Sequence, residues 1–257
     1  MYMSSLTNYI KTTFDGILVI GDVHSDYTSL MLAVEYAKSQ NLFLISLGDL
    51  VDRGDFPFEV LTSLHTLVKD GFSALTIGNH DDKFYRYAKG HKVTFSSSGK
   101  RTLELVSEHT DEFLNLYVSL IETPIFASIY HKIDEYTFVH AAAHHDLWNN
   151  AGTFSKSAKS MALVGEVDGN VYEDGYPVRL YNWVDDIPMG KTVIVGHDMR
   201  PMFAKNLLTE PLVVNNTNGG RAVFMDTGCG KGGKLSGAVY LKDKKDKLMF
   251  TEFKAFV

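Results

Sequence analysis

Leu42-Phe43-Leu44-Ile45-Ser46-Leu47-Gly48-Asp49-Leu50-Val51-Asp52-Arg53-Gly54 is the stretch that decides how this chain folds. The apolar run Leu42 to Leu47 has the length of a buried strand, and a polar loop bounded by glycines follows at once. The same layout stands on either side of it. Gly16-Ile17-Leu18-Val19-Ile20 reads as a buried strand and leads into a loop at Asp22 to Asp26. Phe72 to Ile77 reads as a third strand and leads into the loop Gly78-Asn79-His80. Between these strands, Tyr27 to Gln40 places Leu30, Ala33, Val34 and Ala37 on one helical face. Phe58 to Lys69 does the same with Val60, Leu61, Leu64, Leu67 and Val68. Strand, loop and helix in repeated order predict a parallel α/β sheet.

Further along, Phe84 to Leu120 has a helical pattern broken near Ser96-Ser97-Ser98-Gly99, a helical excursion from the sheet. Strands are predicted at Ile125 to Tyr130, Tyr136 to His140, Thr192 to Val195, Ala222 to Met225, Ala238 to Lys242 and Leu248 to Phe253. The last three come without intervening helices, which predicts a second, more antiparallel sheet. The expected fold is α/β: a two-sheet β-sandwich flanked by helices, with residues 1–257 forming one domain. No internal repeat, linker or low-complexity run divides it.

Composition sets outer bounds. The 257 residues are 45% apolar and 22% charged, an ordinary globular balance that excludes a disordered or fibrous chain. Lys plus Arg is 25 against 31 for Asp plus Glu, a net of -6, which argues against a basic nucleic-acid coat. The single cysteine, Cys229, cannot form an internal disulfide and suits a reducing compartment; it reads as a small buried residue, not a nucleophile. The first residues carry no basic region followed by an apolar one, and no apolar run approaches the roughly 18 to 20 residues of a membrane span. A cytoplasmic protein without a membrane or a stable protein partner is therefore expected.

Ten histidines acquire meaning from where they stand. Five polar clusters each follow an apolar strand: Gly21-Asp22-Val23-His24, Gly48 to Gly54, Gly78-Asn79-His80-Asp81, His140-Ala141 and Gly196-His197. Loops after the carboxyl ends of parallel strands converge on one edge of a sheet, where α/β proteins bind ligands. The residue types suit two divalent ions. Asp22 and His24 can share one ion, a carboxylate such as Asp49 can bridge two, and Asn79, His140 and His197 add neutral oxygen and nitrogen donors. Such mixed ligation without thiolate favours manganese, iron, zinc or similar ions.

The five clusters, in this order, resemble the calcineurin-like metallophosphatase superfamily and its phosphoprotein-phosphatase branch, marked by GDxHG, GDxVDRG, GNH(E/D), HA and GH. That resemblance implies two divalent ions, manganese first, with iron, zinc or nickel as alternatives. Asp22, His24 and Asp49 would hold the first ion; Asp49, Asn79, His140 and His197 would hold the second. Arg53 would bind the substrate phosphate in bidentate fashion, with Asn79 beside it. His80, held by Asp52, would protonate the leaving oxygen, while a bridging hydroxide attacks phosphorus without a covalent phosphoenzyme. For His80 the alternative is a third metal ligand.

Gly78-Asn79-His80-Asp81-Asp82-Lys83, Gly165-Glu166, Gly175-Tyr176-Pro177-Val178-Arg179, Trp183, Met225-Asp226-Thr227-Gly228-Cys229 and Gly232-Gly233-Lys234-Leu235 are similar to a bacterial subgroup. It contains the phosphatase module of polynucleotide kinase-phosphatase and small dinucleoside-tetraphosphatase-like phosphatases. By that likeness Arg179 would be a second phosphate contact or a salt-bridge partner. Asp226 would sit beside the metals or serve only as a turn residue. The implied substrate is a nucleotide, a polynucleotide end or a dinucleoside polyphosphate. A serine/threonine phosphoprotein comes second and a non-catalytic metal scaffold third. No Walker A pattern accompanies it, so no linked kinase is expected. Three motifs depart from the family pattern: Ser25 replaces a glycine, Ala142 follows His140-Ala141 where glycine is usual, and Asp198-Met199 replaces Thr-Pro. His144 and His145 would rim the pocket. The lysines Lys231, Lys234, Lys242, Lys244, Lys245 and Lys247 would form a solvated hairpin or a polynucleotide contact.

Overall fold

The computed structural model describes residues 2–148, 155–173 and 175–257. Its first sheet is built as the sequence predicts. β1 (Gly16–Ile20), β2 (Leu42–Ser46) and β3 (Ser73–Thr76) are buried along their whole length and pair in parallel. α1 (Tyr2–Thr13), which the sequence reading did not anticipate, precedes them. α2 (Tyr27–Ser39) and α3 (Pro57–Lys69) are the crossovers. Asp26 starts α2 by accepting a hydrogen bond from the Ser29 amide at 3.0 Å.

The helical excursion resolves into α4 (Asn79–Ala88), α5 (Ser97–Leu105) and α6 (Thr110–Ile121). The break falls where serines cluster because Ser96 caps α5, its Oγ accepting from the Gly99 amide. One boundary moves. Asn79 and His80, expected in a loop, form the first turn of α4.

Two strand assignments also change. Ile125 to Tyr130 is not one strand. It divides into β4 (Ala127–Ser128), parallel to β3, and β5 (Tyr130–Ile133), which belongs to the other sheet. The chain passes between layers here, with Ile125 at φ 75. The second sheet continues through β6 (Tyr136–Val139), then β9 (Thr192–Val195), β10 (Leu212–Asn215) and β11 (Arg221–Phe224), in the order β10-β11-β9-β6-β5. Between β6 and β9 lie α7 (Lys156–Val164), the hairpin of β7 (Glu166–Val171) and β8 (Pro177–Leu180), and α8 (Asn182–Asp185). The last two strands, β12 (Leu235–Lys242) and β13 (Leu248–Phe256), do not join β11 in that sheet. They extend the first sheet beyond β1, which pairs with β12 antiparallel.

Alternation along β1 shows how the layers stack. Ile17 and Val19 face the interior between the sheets, with Phe43, Ile45, Phe138, Ile194, Val223 and Tyr240. Leu18 and Ile20 face the helices, against Leu30, Val34, Leu61 and Phe113. On the far side, Val193 and Val195 pack against Trp183, Val184 and Ala162. The result is a helix–sheet–sheet–helix sandwich, whose interior α1 completes with Leu6 and Ile10. Among the described residues no helix is long and apolar enough to cross a membrane.

Candidate metal and phosphate site

The loops following β1, β2, β3, β6 and β9 meet at one edge of the sandwich, because those strands run in parallel within each sheet. Their backbone is tightly constrained. Among the described residues ten non-glycine positions have positive φ, and six lie here: His24, Ser25, Asp49, Asp52, Arg53 and His197. Clustering of this uncommon conformation marks a site whose geometry the surrounding structure enforces. Two glycines are required by close approach. A Cβ on Gly78 would lie 2.3 Å from Asp49 Oδ1, and one on Gly196 would lie 2.1 Å from Asp22 Oδ1.

The side chains form two groups that share Asp49. Asp22, His24 and Asp49 offer ligand atoms within 4.8 Å of one another, and so do Asp49, His140 and His197. His24 Nε2 is 3.8 Å from Asp22 Oδ2 and 3.9 Å from Asp49 Oδ2. His140 Nε2 is 3.4 Å from Asp49 Oδ1, 3.1 Å from Asn79 Oδ1 and 3.1 Å from His197 Nδ1. The opposite ring nitrogens are committed elsewhere. His24 Nδ1 lies 3.0 Å from the Val51 carbonyl and His140 Nδ1 lies 2.8 Å from the Leu47 carbonyl. A ring N–H that donates to a carbonyl leaves the other nitrogen's lone pair directed into the site.

The electrostatics of this cluster call for cations. Burial, and next the neighbouring Asp226, raise the Asp22 carboxyl well above its ordinary pKa. Asp22 Oδ2 and His197 Nε2 are buried without a hydrogen-bond partner. Burial alone would lift Asp49 too, but His140, His80 and His24 outweigh it and hold that carboxyl well below its usual range. Burial would lower His140, yet Asp49 and Asp22 lift it to about 9. His24 and His197 are driven well below their ordinary value, mainly by burial. Buried carboxylates facing one another, an orphaned carboxylate oxygen and the neutral imidazoles of His24 and His197 fit a pair of divalent ions coordinated by nitrogen and oxygen.

A model of the calcineurin-like phosphoesterase family matches residues 16–207, a span that contains both groups. The chain belongs to this family. The phosphoesterase is 29% identical over 231 residues to the bis(5′-nucleosyl)-tetraphosphatase PrpE [asymmetrical] of Halalkalibacterium halodurans, covering 85% of this chain and 87% of that protein. It is 28% identical over 233 residues to the protein of the same name from Bacillus subtilis, covering 85% and 88%. In fold it is similar to a serine/threonine protein phosphatase of Saccharomyces cerevisiae (TM-score 0.55, 13% identity, 99% of this chain and 87% of that one). It is likewise similar to a metallophosphoesterase of Sphaerobacter thermophilus (TM-score 0.52, 16% identity, 95% and 88%).

His80 stands at the edge of the shared carboxylate. Its amide donates to Asp49 Oδ1 at 2.9 Å, its Nε2 lies 3.7 Å from Asp49 Oδ2, and its Nδ1 makes a short contact with Asp52 Oδ2. Burial would lower the His80 pKa, but Asp49 and Asp52 outweigh it and raise it. Asp52 is held from its other side by Thr102, whose hydroxyl donates to Oδ1 at 2.5 Å. Arg101, the preceding residue on α5, donates from Nη1 to the Arg53 carbonyl at 2.8 Å and pairs with Asp55. Sequence reading found Asp52 and Arg53 but not these two supports, which come from a distant helix. Asp81 is a further support. Its carboxylate accepts from the amides of Asp49 (2.8 Å), Leu50 (3.1 Å) and Gly78 (2.9 Å). Burial and the Asp49 charge nevertheless push it up to about 6.

A cavity of about 490 Å³ opens above these residues, lined by His24, Asp49, Arg53, Asn79, His80 and His197 on one side. Tyr176, Arg179, Met199, Arg200, Leu207 and Lys231 line the other. Arg179 thus reaches the cavity while its Nη1 donates to the Val164 carbonyl at 2.6 Å. Asp226 lies beside Asp22 and is also a turn residue: it accepts from the Gly228 amide at 3.0 Å and pairs with Lys231 at 3.1 Å. His144 and His145, expected at the rim, are not among the described residues lining this cavity; their rings lie against each other, tilted by 34°, with centroids 3.9 Å apart. The lysines from Lys242 to Lys247 form the β12–β13 turn. That turn adjoins Gly16 at the start of β1, whereas the site follows the end of β1. A polynucleotide contact continuous with the site is therefore not supported there. Cys229 is buried, its Sγ donating to the Val23 carbonyl at 3.2 Å, a structural role.

Ser25 occupies a left-handed conformation at φ 60, fully buried, with no partner for its hydroxyl. Ser25→Gly removes a side chain from a backbone conformation that costs L-residues about 1–2 kcal/mol. The greater freedom of glycine in the unfolded chain offsets part of this. The expected net result is a stabilisation of about 1 kcal/mol, read as a rise in Tm. A fall in Tm would show that the serine is required at this turn.

Proposed function

We propose that this phosphoesterase cleaves the polyphosphate chain of dinucleoside polyphosphates, with nucleotide and polynucleotide phosphate ends as chemically related substrates. The observation that carries the reading is a pair of ligand groups sharing Asp49 on the floor of a cationic cavity. Support also comes from relatives named for dinucleoside tetraphosphate hydrolysis that align over nearly their whole length.

Asp22, His24 and Asp49 would hold one divalent ion, and Asp49, Asn79, His140 and His197 the other. Manganese is the first choice, then iron, zinc or nickel. When bound, two such ions supply Lewis acidity toward the phosphoryl oxygens and the attacking water. The chain's own groups do the rest. The Arg53 guanidinium orients two phosphoryl oxygens at once, aided by Arg179 and by the amide of Asn79. His80 presents Nε2 toward the cavity and delivers a proton to the leaving oxygen, with Asp52 fixing the ring through Nδ1. Asp226 keeps Lys231 near Asp22 and so offsets the crowding of carboxylates. The described residues act as one catalytic unit, and the lone buried thiol supports a cytoplasmic setting.

Chelator-stripped protein should be inactive and regain turnover with manganese. At one manganese concentration, kcat/KM should be higher on diadenosine tetraphosphate than on a 3′-phosphate oligonucleotide or a phosphoserine peptide. Full activity in stripped protein would overturn the metal assignment. Highest activity on the peptide would replace the nucleotide reading with a protein-phosphatase one.

A further inference from the structure

Of the six lysines from Lys231 to Lys247, Lys231 is the one that lines the cavity among the described residues. The backbone delivers it there by a narrow route. Cys229 Sγ donates to the Val23 carbonyl at 3.2 Å. Gly230, at φ 67, passes so close to the loop after β1 that a Cβ there would lie 2.2 Å from the His24 carbonyl oxygen. Only glycine tolerates that approach. The Lys231 amide then donates to the Gly228 carbonyl at 2.9 Å and closes the turn. Lys231 therefore starts from a fixed backbone beside the Asp22–His24 ligand group. Its side chain is 18% exposed, and its charge is felt at both Asp22 and His24, where burial is the larger influence.

The ammonium is held in place but not saturated. Among the described residues its hydrogen-bond partner is Asp226 Oδ2, at 3.1 Å. An ammonium carries three N–H donors, so two remain for a further acceptor. Neutralising Asp226 does not by itself account for the placement. That carboxylate already accepts from the Gly228 amide at 3.0 Å, and it lies beside a ligand group suited to a divalent cation. A fixed positive charge at such a site opposes the ions by repulsion and becomes favourable once an anion joins them. Lysine serves phosphate in this way as a point charge with several donors.

We propose that Lys231 is a phosphate-binding residue of this site, giving its remaining N–H groups to an oxygen of the phosphoryl group that occupies the cavity. Asp226 is its positioning residue. This rests on the reading of the cavity as a phosphate site and not on which ester is cleaved.

The test titrates orthophosphate into manganese-loaded full-length protein by isothermal calorimetry, without excess manganese, and measures bound manganese in parallel. Lys231→Met, which keeps length without charge, should bind orthophosphate about tenfold more weakly than the wild type, the size of one charge-assisted contact. Its manganese content should be unchanged. Lys231→Arg should recover most of the affinity. Because Lys231→Met leaves the buried Asp226 carboxylate without its cation, the double variant Lys231→Met/Asp226→Asn is measured as well. Its amide oxygen can still accept from the Gly228 amide. The double variant should bind orthophosphate as weakly as Lys231→Met. Wild-type affinity in Lys231→Met overturns the proposal. So does recovery in the double variant, which would trace the loss to a stranded carboxylate. A loss of affinity that follows a loss of manganese also overturns it. A manganese-loaded wild type that binds no orthophosphate overturns the phosphate reading of the cavity together with the proposal. If the wild type binds orthophosphate but does not cleave diadenosine tetraphosphate, the nucleotide reading falls alone, and the orthophosphate comparison still decides the role of Lys231.

Discussion

Asp49→Asn is expected to lower kcat by about a thousandfold or more, close to 4 kcal/mol of barrier, and to reduce bound divalent metal to one ion per chain or fewer. Asp49 is 2% exposed, with Oδ2 3.9 Å from His24 Nε2 and Oδ1 3.4 Å from His140 Nε2. It is the one residue common to both ligand groups. The amide is nearly isosteric, and its carbonyl oxygen can still accept from the His80 amide, a 2.9 Å bond in the wild type. The fold should therefore survive while the anionic oxygens are lost. Glutamate is not expected to rescue, because Gly78 is already so close that a Cβ there would lie 2.3 Å from Asp49 Oδ1. The checks are metal content by elemental mass spectrometry, kcat, and circular dichroism to confirm folding. Two ions per chain together with wild-type turnover would remove Asp49 from its proposed place.

The sequence made this residue findable because the information is local. Each candidate ligand stands one to four residues beyond a buried apolar strand, so strand, glycine and carboxylate appear together in the chain. Parallel pairing then brings the loops to one edge without further instruction. The supports of the site are encoded differently. Thr102 and Arg101 reach the loop after β2 across 50 and 48 positions of sequence, from a helix whose own pattern says only that it packs. Nothing at those positions distinguishes them from any solvent-facing threonine or arginine. Asp198 was visible as a departure from a motif, but its partners Tyr176 and Tyr181 lie on another element. β7 escaped notice for a physical reason: from Val167 to Val171 it is exposed, so no alternation of buried and exposed residues marks it as a strand. β12 carried the opposite ambiguity. Its first six residues are all buried, which identifies a strand but not the sheet it joins. That choice depends on pairing with β1 more than two hundred residues earlier, as in Ile20 with Gly237.

His80→Ala is expected to slow hydrolysis in proportion to how badly the leaving group needs a proton. For phenyl phosphate, whose phenoxide leaving group is the more basic of the two, the loss should be about a thousandfold, within the range for general acid catalysis. For p-nitrophenyl phosphate, whose leaving group is stable as an anion, it should be nearer tenfold. The geometry motivates the difference. Nε2 faces the cavity 3.7 Å from Asp49, while Nδ1 is held by Asp52, and the two carboxylates keep the ring protonated more readily than an isolated histidine. Asp52→Asn should give a smaller loss with the same dependence on leaving group, since it weakens the hold on the ring without removing the ring. Thr102→Val acts one step further out and should cost less again, because Asp52 loses one neutral donor but keeps its histidine. If His80 were instead a third metal ligand, both esters would slow equally and bound metal would fall. Leaving-group dependence with metal content preserved is therefore the result that separates a proton donor from a ligand.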